Sequence, residues 1–171
     1  GFNHANYGRA LLKLHKTKEA TEAFDKAVEV QQNAMLWNNI AYELADSDTN
    51  LDRAEQYAES AISQVASALR NLSPERVTMQ DMGNVQALAS YWDTLGWIKF
   101  KRGDLEGAEK YIAAAWKLSQ NGEVADHLGQ IALKRGNRDA AIKWYAQAMS
   151  GNRPKIDTRD RLNKLVADNA K

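Results

Sequence analysis

Three histidines, His4, His15 and His127, are the first candidates for chemistry in this sequence. Imidazole is the commonest metal ligand and titrates near neutral pH, so any one of them could serve a metal or a proton relay. None stands at a metal-binding spacing from a second ligand, such as that of HExxH. His4 and His15 fall at the ends of an expected helix and His127 inside another, so all three read as structural or surface residues. The 22 acidic residues spread over helix faces and caps, with no facing carboxylate pair for acid–base work. The serines lack a GxSxG elbow, there is no glycine-rich phosphate loop, and the absence of cysteine removes thiol catalysis and thiolate metal sites. The residues give no support to an enzyme and call for no metal and no cofactor.

The composition narrows the class. The 171 residues are 44% apolar, enough for one domain with its own core, and two prolines and ten glycines leave room for long helices. Charged residues make up 26% and nearly cancel, for a net charge of +1, which argues against nucleic acid as a partner. No apolar run reaches the roughly 18 residues that a spanning helix requires, so this segment is expected not to insert in a membrane. The leading Gly1 reads as the start of an excised segment of a longer protein, which leaves localisation open.

Small residues recur at fixed intervals. Ala20, Ala54, Ala108 and Ala141 are each followed seven residues later by another alanine, at Ala27, Ala61, Ala115 and Ala148. The step from Ala20 to Ala54 is 34 residues and that from Ala108 to Ala141 is 33, the period of a helical repeat array. Small residues where helices cross let them approach to about 8–10 Å. Glycine within a helix costs about 1 kcal/mol, so Gly96 and Gly129 make sense where a neighbouring helix presses close.

The elements follow from this period. A first helix is expected over Phe2 to Lys16, with Thr17 capping a second that reaches Gln31 and buries Ala20, Phe24, Ala27 and Val28. Leu36, Trp37, Ile40, Ala41 and Leu44 form the inner stripe of the next, and a polar turn from Asp46 to Asn50 leads to a helix starting near Leu51. Arg102-Gly103-Asp104 is a stop followed by a start, with glycine left-handed and aspartate as cap. Arg135-Gly136-Asn137 repeats that plan. Ser150-Gly151-Asn152-Arg153-Pro154 breaks the chain before a final helix, capped by Asp157 or Thr158, whose Leu162, Leu165 and Val166 cover the last open core face.

These residues resemble the tetratricopeptide repeat. Trp37 and Trp92 match its helix-A aromatic, Leu95-Gly96 and Leu128-Gly129 its Leu-Gly pair, with Tyr7-Gly8 and Ile40-Ala41 looser. Phe24, Ile112 and Tyr145 fill its large helix-B site, where Ala58 departs from the pattern, and the closing proline is absent. The resemblance implies an all-α fold, a right-handed superhelix of four helical hairpins plus a C-terminal capping helix. Its repeats span about 1–33, 34–67, 89–121 and 122–151, with an insert at about 68–88 and the cap at about 157–169.

The resemblance also implies a concave groove lined by helix A of each repeat. Carried over position by position, its lining is Ala5, Arg9 and Lys13, then Asn38, Tyr42 and Asp46, then Asp93, Trp97, Phe100 and Lys101, then Asp126, Gln130 and Lys134. Arg9, Lys13, Asn38, Tyr42, Asp93, Trp97, Phe100, Lys101, Gln130 and Lys134 are the expected partner-binding residues, and Trp97 the expected hot spot. Aromatic rings would bury side chains of an extended peptide while amide and charged tips bond its backbone. Members that grip a chaperone's C-terminal carboxylate place a Lys, Asn, Asn, Lys, Arg set where this sequence has Ala5, Arg9, Asn39, Ser90 and Thr94, and only Asn39 fits.

One interval departs from the period. Ala27 to Ala41 and Ala115 to Gly129 are 14 residues, whereas Ala61 to Gly96 is 35, an excess of 21. Ser73-Pro74 is a helix opener, and Thr78 with Asp81 resembles a capping box, so two lengthened helices are expected, one ending near Leu72 and one starting near Met79. Charge is uneven too: residues 35–72 carry two basic and six acidic residues, and residues 136–171 eight basic and four acidic. The function expected is a non-catalytic scaffold binding a protein or extended peptide. The alternatives are a self-association module forming a homo-oligomer, or an accessory domain positioning substrates. The latter follows from a likeness to C-terminal repeat segments of large bacterial proteins, some with a transglutaminase-like domain upstream.

Overall fold

Turn chemistry fixes where the helices of this chain begin and end. The computed structural model describes residues 1–150 and 156–169. Among the described residues there are nine α-helices and no strand: α1 (Phe2–Lys13), α2 (Thr17–Val30), α3 (Ala34–Asp46), α4 (Leu51–Leu69), α5 (Met79–Lys101), α6 (Leu105–Leu118), α7 (Gly122–Lys134), α8 (Arg138–Met149) and α9 (Ile156–Asn169). Asn33, Asn50, Asp104, Asn121 and Asn137 each cap a helix by accepting a bond from a backbone N–H three residues on. Gly103 and Gly136 take the left-handed conformation at the turns after α5 and α7, with φ of 83° and 77°.

The first turn differs from expectation. α1 ends at Lys13 because His15 enters the left-handed region at φ 58°, and Thr17 is the first helical residue of α2 instead of its cap. Thr158 likewise lies inside α9, where its hydroxyl donates to Asp126 at 2.7 Å. Of the chain break expected at 150–154, all beyond Ser150 lies outside the described residues.

α1 packs on α2, α3 on α4, α5 on α6, and α7 on α8, while α9 covers α8. α1, α3, α5 and α7 also touch in succession and form the inner layer of an all-α repeat superhelix. All eight periodic alanines are buried between the layers. A Cβ built on Gly8 would meet the Phe24 ring at 2.6 Å, on Gly96 the Ile112 side chain at 2.4 Å, and on Gly129 the Tyr145 ring at 2.5 Å. The second hairpin solves the same crossing differently. Ala41 carries a Cβ where the others have none, and Ala58, the small residue at the large site, makes room; both are fully buried in one core. The departure at Ala58 is thus compensated across the hairpin.

The insert lengthens α4 to 19 residues and α5 to 23, against 12 to 14 in the remaining helices. Thr78 and Asp81 form the full capping box of α5. α4 stops at Leu69, and Pro74 opens only a 3-10 turn at Pro74–Arg76, since the Ser73 hydroxyl donates to Glu75 at 2.7 Å in place of capping a backbone N–H.

Candidate partner-binding groove

Three of the inner helices, α3, α5 and α7, carry a polar residue three positions before their small crossing residue, where α1 has Ala5. Counting back from Ala41, Gly96 and Gly129 gives Asn38, Asp93 and Asp126, 8%, 7% and 4% exposed. A polar side chain this deep is costly unless it is hydrogen-bonded. Asp126 meets that demand by reaching forward to the next inner element: it accepts from Thr158 at 2.7 Å and from Arg161 at 3.0 Å, both on α9, and from Gln130 at 2.8 Å. Asp93 does the same one repeat earlier, with His127 Nδ1 at 2.9 Å from one carboxylate oxygen and 3.1 Å from the other. Asn38 breaks the series, since its Oδ1 is buried without a hydrogen-bond partner among the described residues.

Asn38 lines a cleft of about 230 Å³ where α1, α3, α5 and α7 converge. Arg9, Asn39, Tyr42 and Glu43 line it from one side, and Ser90, Asp93, Thr94, Asn121 and Glu123 from the other. The Tyr42 hydroxyl donates to Glu123 at 3.0 Å, bridging α3 to α7. Burial, and then the Glu123 carboxylate, push the Tyr42 pKa far above its ordinary value of 10.0, so it stays a donor. Arg9 Nε sits 2.6 Å from Glu43 but outside hydrogen-bonding alignment, so charge alone holds that pair. The His127 pKa is raised: burial opposes the charge, but the Asp93 carboxylate, helped by Glu123 and Asp126, outweighs it.

The expected binding residues separate into groups. Arg9, Asn38, Tyr42 and Asp93 meet at this cleft, whereas Phe100, Gln130 and Lys134 line a second one further along, of about 620 Å³. Lys13 is exposed at the end of α1 and lines neither. Trp97, expected as the hot spot, is only 6% exposed. Its ring stacks between His127, at 4.3 Å, and Phe100, at 5.0 Å, with the Lys101 ammonium 5.2 Å from its centroid. Trp97 therefore packs behind the Asp93–His127 pair, where it limits solvent access.

Sequence reasoning did not find the Asp93–His127 pair or the Asp126 hub, because it weighed each histidine against ligands nearby in the chain. The available signal was the repeat itself: Asp93 and Asp126 are 33 residues apart, at one register of successive inner helices. Among the described residues no three His, Asp or Glu side chains cluster as a metal site, and no helix is long and apolar enough to cross a membrane.

A family model described as a tetratricopeptide repeat matches residues 3–33 and 123–151, the first and fourth hairpins. No curated protein matches the sequence. Among solved structures, the APC/C hetero-tetramer Cut9-Hcn1 is similar at 15% identity with a TM-score of 0.66, over 95% of this chain and 29% of that one. PilF of Pseudomonas aeruginosa is similar at 17% identity with a TM-score of 0.63, over 98% of this chain and 69% of that one. The chain thus spans under a third of the first of these, and at such identities the likeness carries the fold. The first and fourth hairpins thus match the tetratricopeptide repeat, a motif that generally mediates protein–protein interaction, and the chain as a whole shares the all-α helical-repeat fold of these structures.

Proposed function

We propose that this chain is a non-catalytic scaffold that holds an extended segment of a partner protein in its concave groove, with the Asn38 cleft as the principal anchor. The observation that carries the reading is the unfilled acceptor on Asn38, in a series where Asp93 and Asp126 are both satisfied. A peptide N–H or a donor side chain entering the cleft would complete it. The cleft's size supports a peptide over a compact small molecule: about 230 Å³ is below the roughly 300–1,000 Å³ of small-molecule sites. Its lining supports this too, because Asn39, Asn121, Ser90 and Thr94 offer amides and hydroxyls suited to a peptide backbone.

The test is selection of binders from a displayed random-peptide library, followed by calorimetric titration of the enriched peptide. The wild type should bind it, and Asn38→Leu should weaken binding about tenfold, the value of one buried hydrogen bond lost with its desolvation penalty. Equal affinity for both proteins would place the peptide elsewhere.

A further inference from the structure

The second cleft is chemically unlike the first. It lies between α7, α8 and α9 and has four cationic side chains in its lining, Lys134, Arg138, Arg161 and Lys164, with no carboxylate among the lining residues. Arg161 is neutralised from behind by Asp126 at 3.0 Å, and Arg138 donates to the Leu165 carbonyl at 2.9 Å. Lys134 and Lys164 are exposed, and neither has an ion-pair partner among the described residues. Beneath them lies Tyr145, fully buried, whose hydroxyl also has no hydrogen-bond partner among the described residues. Burial and the Asp126 charge push its pKa up to about 12, so it remains a donor at neutral pH. Phe100, Leu133 and Leu165 supply apolar walls.

Two ammonium groups at the rim, a buried donor at the base and apolar walls are complementary to a carboxylate side chain flanked by an apolar one. We propose that this cleft binds an acidic, aromatic-containing segment of a protein partner, with Lys134 and Lys164 pairing its carboxylates and the Tyr145 hydroxyl donating to one of them. The charges set the sign of the ligand and steer its approach, and the hydroxyl fixes its position. This deepens the scaffold reading, on which it rests, by giving the groove a second anchor of opposite character.

Fluorescence anisotropy of the full chain tests it. The probe is a labelled peptide of sequence Asp-Glu-Phe-Glu-Asp-Leu-Glu-Asp, compared with its Asn/Gln counterpart and with a single-stranded oligonucleotide of equal charge. The acidic peptide should bind, more weakly as salt rises, and the amide peptide should not. Lys134→Glu combined with Lys164→Glu, both exposed and so expected to preserve helicity, should reduce affinity about tenfold or more. Tyr145→Phe, which keeps the ring, should reduce it several-fold, and Asn38→Leu should leave it unchanged. Equal binding of the amide peptide, or unaltered affinity in the double lysine variant, would overturn the proposal. Equal binding of the oligonucleotide would reassign the cleft as a general polyanion site, and an indifferent Tyr145→Phe would remove the hydroxyl from it. If Asn38→Leu fails to affect the library-selected peptide while these results hold, the first anchor is wrong and the second stands; the reverse pattern sinks only the second.

Discussion

Asp93 and His127 lie 34 residues apart in sequence and 2.9 Å apart in space, and they tie α5 to α7 behind the groove. Asp93 faces two ways, since it also lines the Asn38 cleft. A shift in this pair is therefore felt both in the packing of the inner layer and in the wall a ligand touches.

The pair makes stability depend on pH in a defined direction. The folded pKa of His127 is raised above its ordinary 6.5, so the folded state holds the proton more tightly than the unfolded chain. The resulting stabilisation is fully present below about pH 6.5 and is lost as pH rises through the higher folded value. Thermal melts of the wild type should show a Tm that falls across that rise. Asp93→Asn should be less stable at acidic pH by about 3–5 kcal/mol, the cost of leaving one member of a buried pair alone, and should lose this fall. A wild-type Tm that instead climbs through the same range would show that His127 is neutral in the fold.

Two glycines of one helix should respond oppositely to alanine. A Cβ on Gly96 would lie 2.4 Å from Ile112 Cγ1 and 3.0 Å from the Ala108 carbonyl, whereas one on Gly83 meets nothing within 4 Å. Gly83→Ala should stabilise by about 0.5–1 kcal/mol through helix propensity. Gly96→Ala should lose about 1–3 kcal/mol from overpacking despite the same gain, and Ile112→Ala, which removes Cγ1, should cost less in that background than in the wild type. Urea denaturation of these variants and of Ile112→Ala alone decides this.

Asp126 should be what docks the final helix. It is the common acceptor of Thr158 and Arg161 on α9 and of Gln130 on its own helix. Asp126→Ala should strip protection from the α9 amides in hydrogen exchange while α1 to α6 keep theirs, with a loss of about 3 kcal/mol or more for a broken buried charge network. Uniform loss over all helices would mean that α9 and the array unfold as one unit.

Much of the fold was legible because it repeats. The alanine period, the Arg102-Gly103-Asp104 turn and the Thr78–Asp81 box each have a local cause, and each appears in the structure as read. Helix ends governed by tertiary contacts were less legible: Thr17 and Thr158 are good caps in isolation, but both lie inside helices, and Thr158 meets an acceptor on another helix. Trp97 shows why an aromatic at a groove register need not face the groove. Its stacking on His127 depends on a side chain from the following repeat, which no local pattern in α5 contains.

Asn38 offers the most direct test, because free-state stability and binding should move apart. Its orphaned Oδ1 is a burden on the unliganded protein, so Asn38→Leu should melt at the same temperature as the wild type or higher, an unsatisfied buried polar group costing about 1–3 kcal/mol. The same variant should bind the library-selected groove peptide about tenfold more weakly in calorimetric titration. Asn38→Leu that is markedly destabilised while binding the peptide as well as the wild type would contradict the central claim, since Asn38 would then serve the fold and not a ligand.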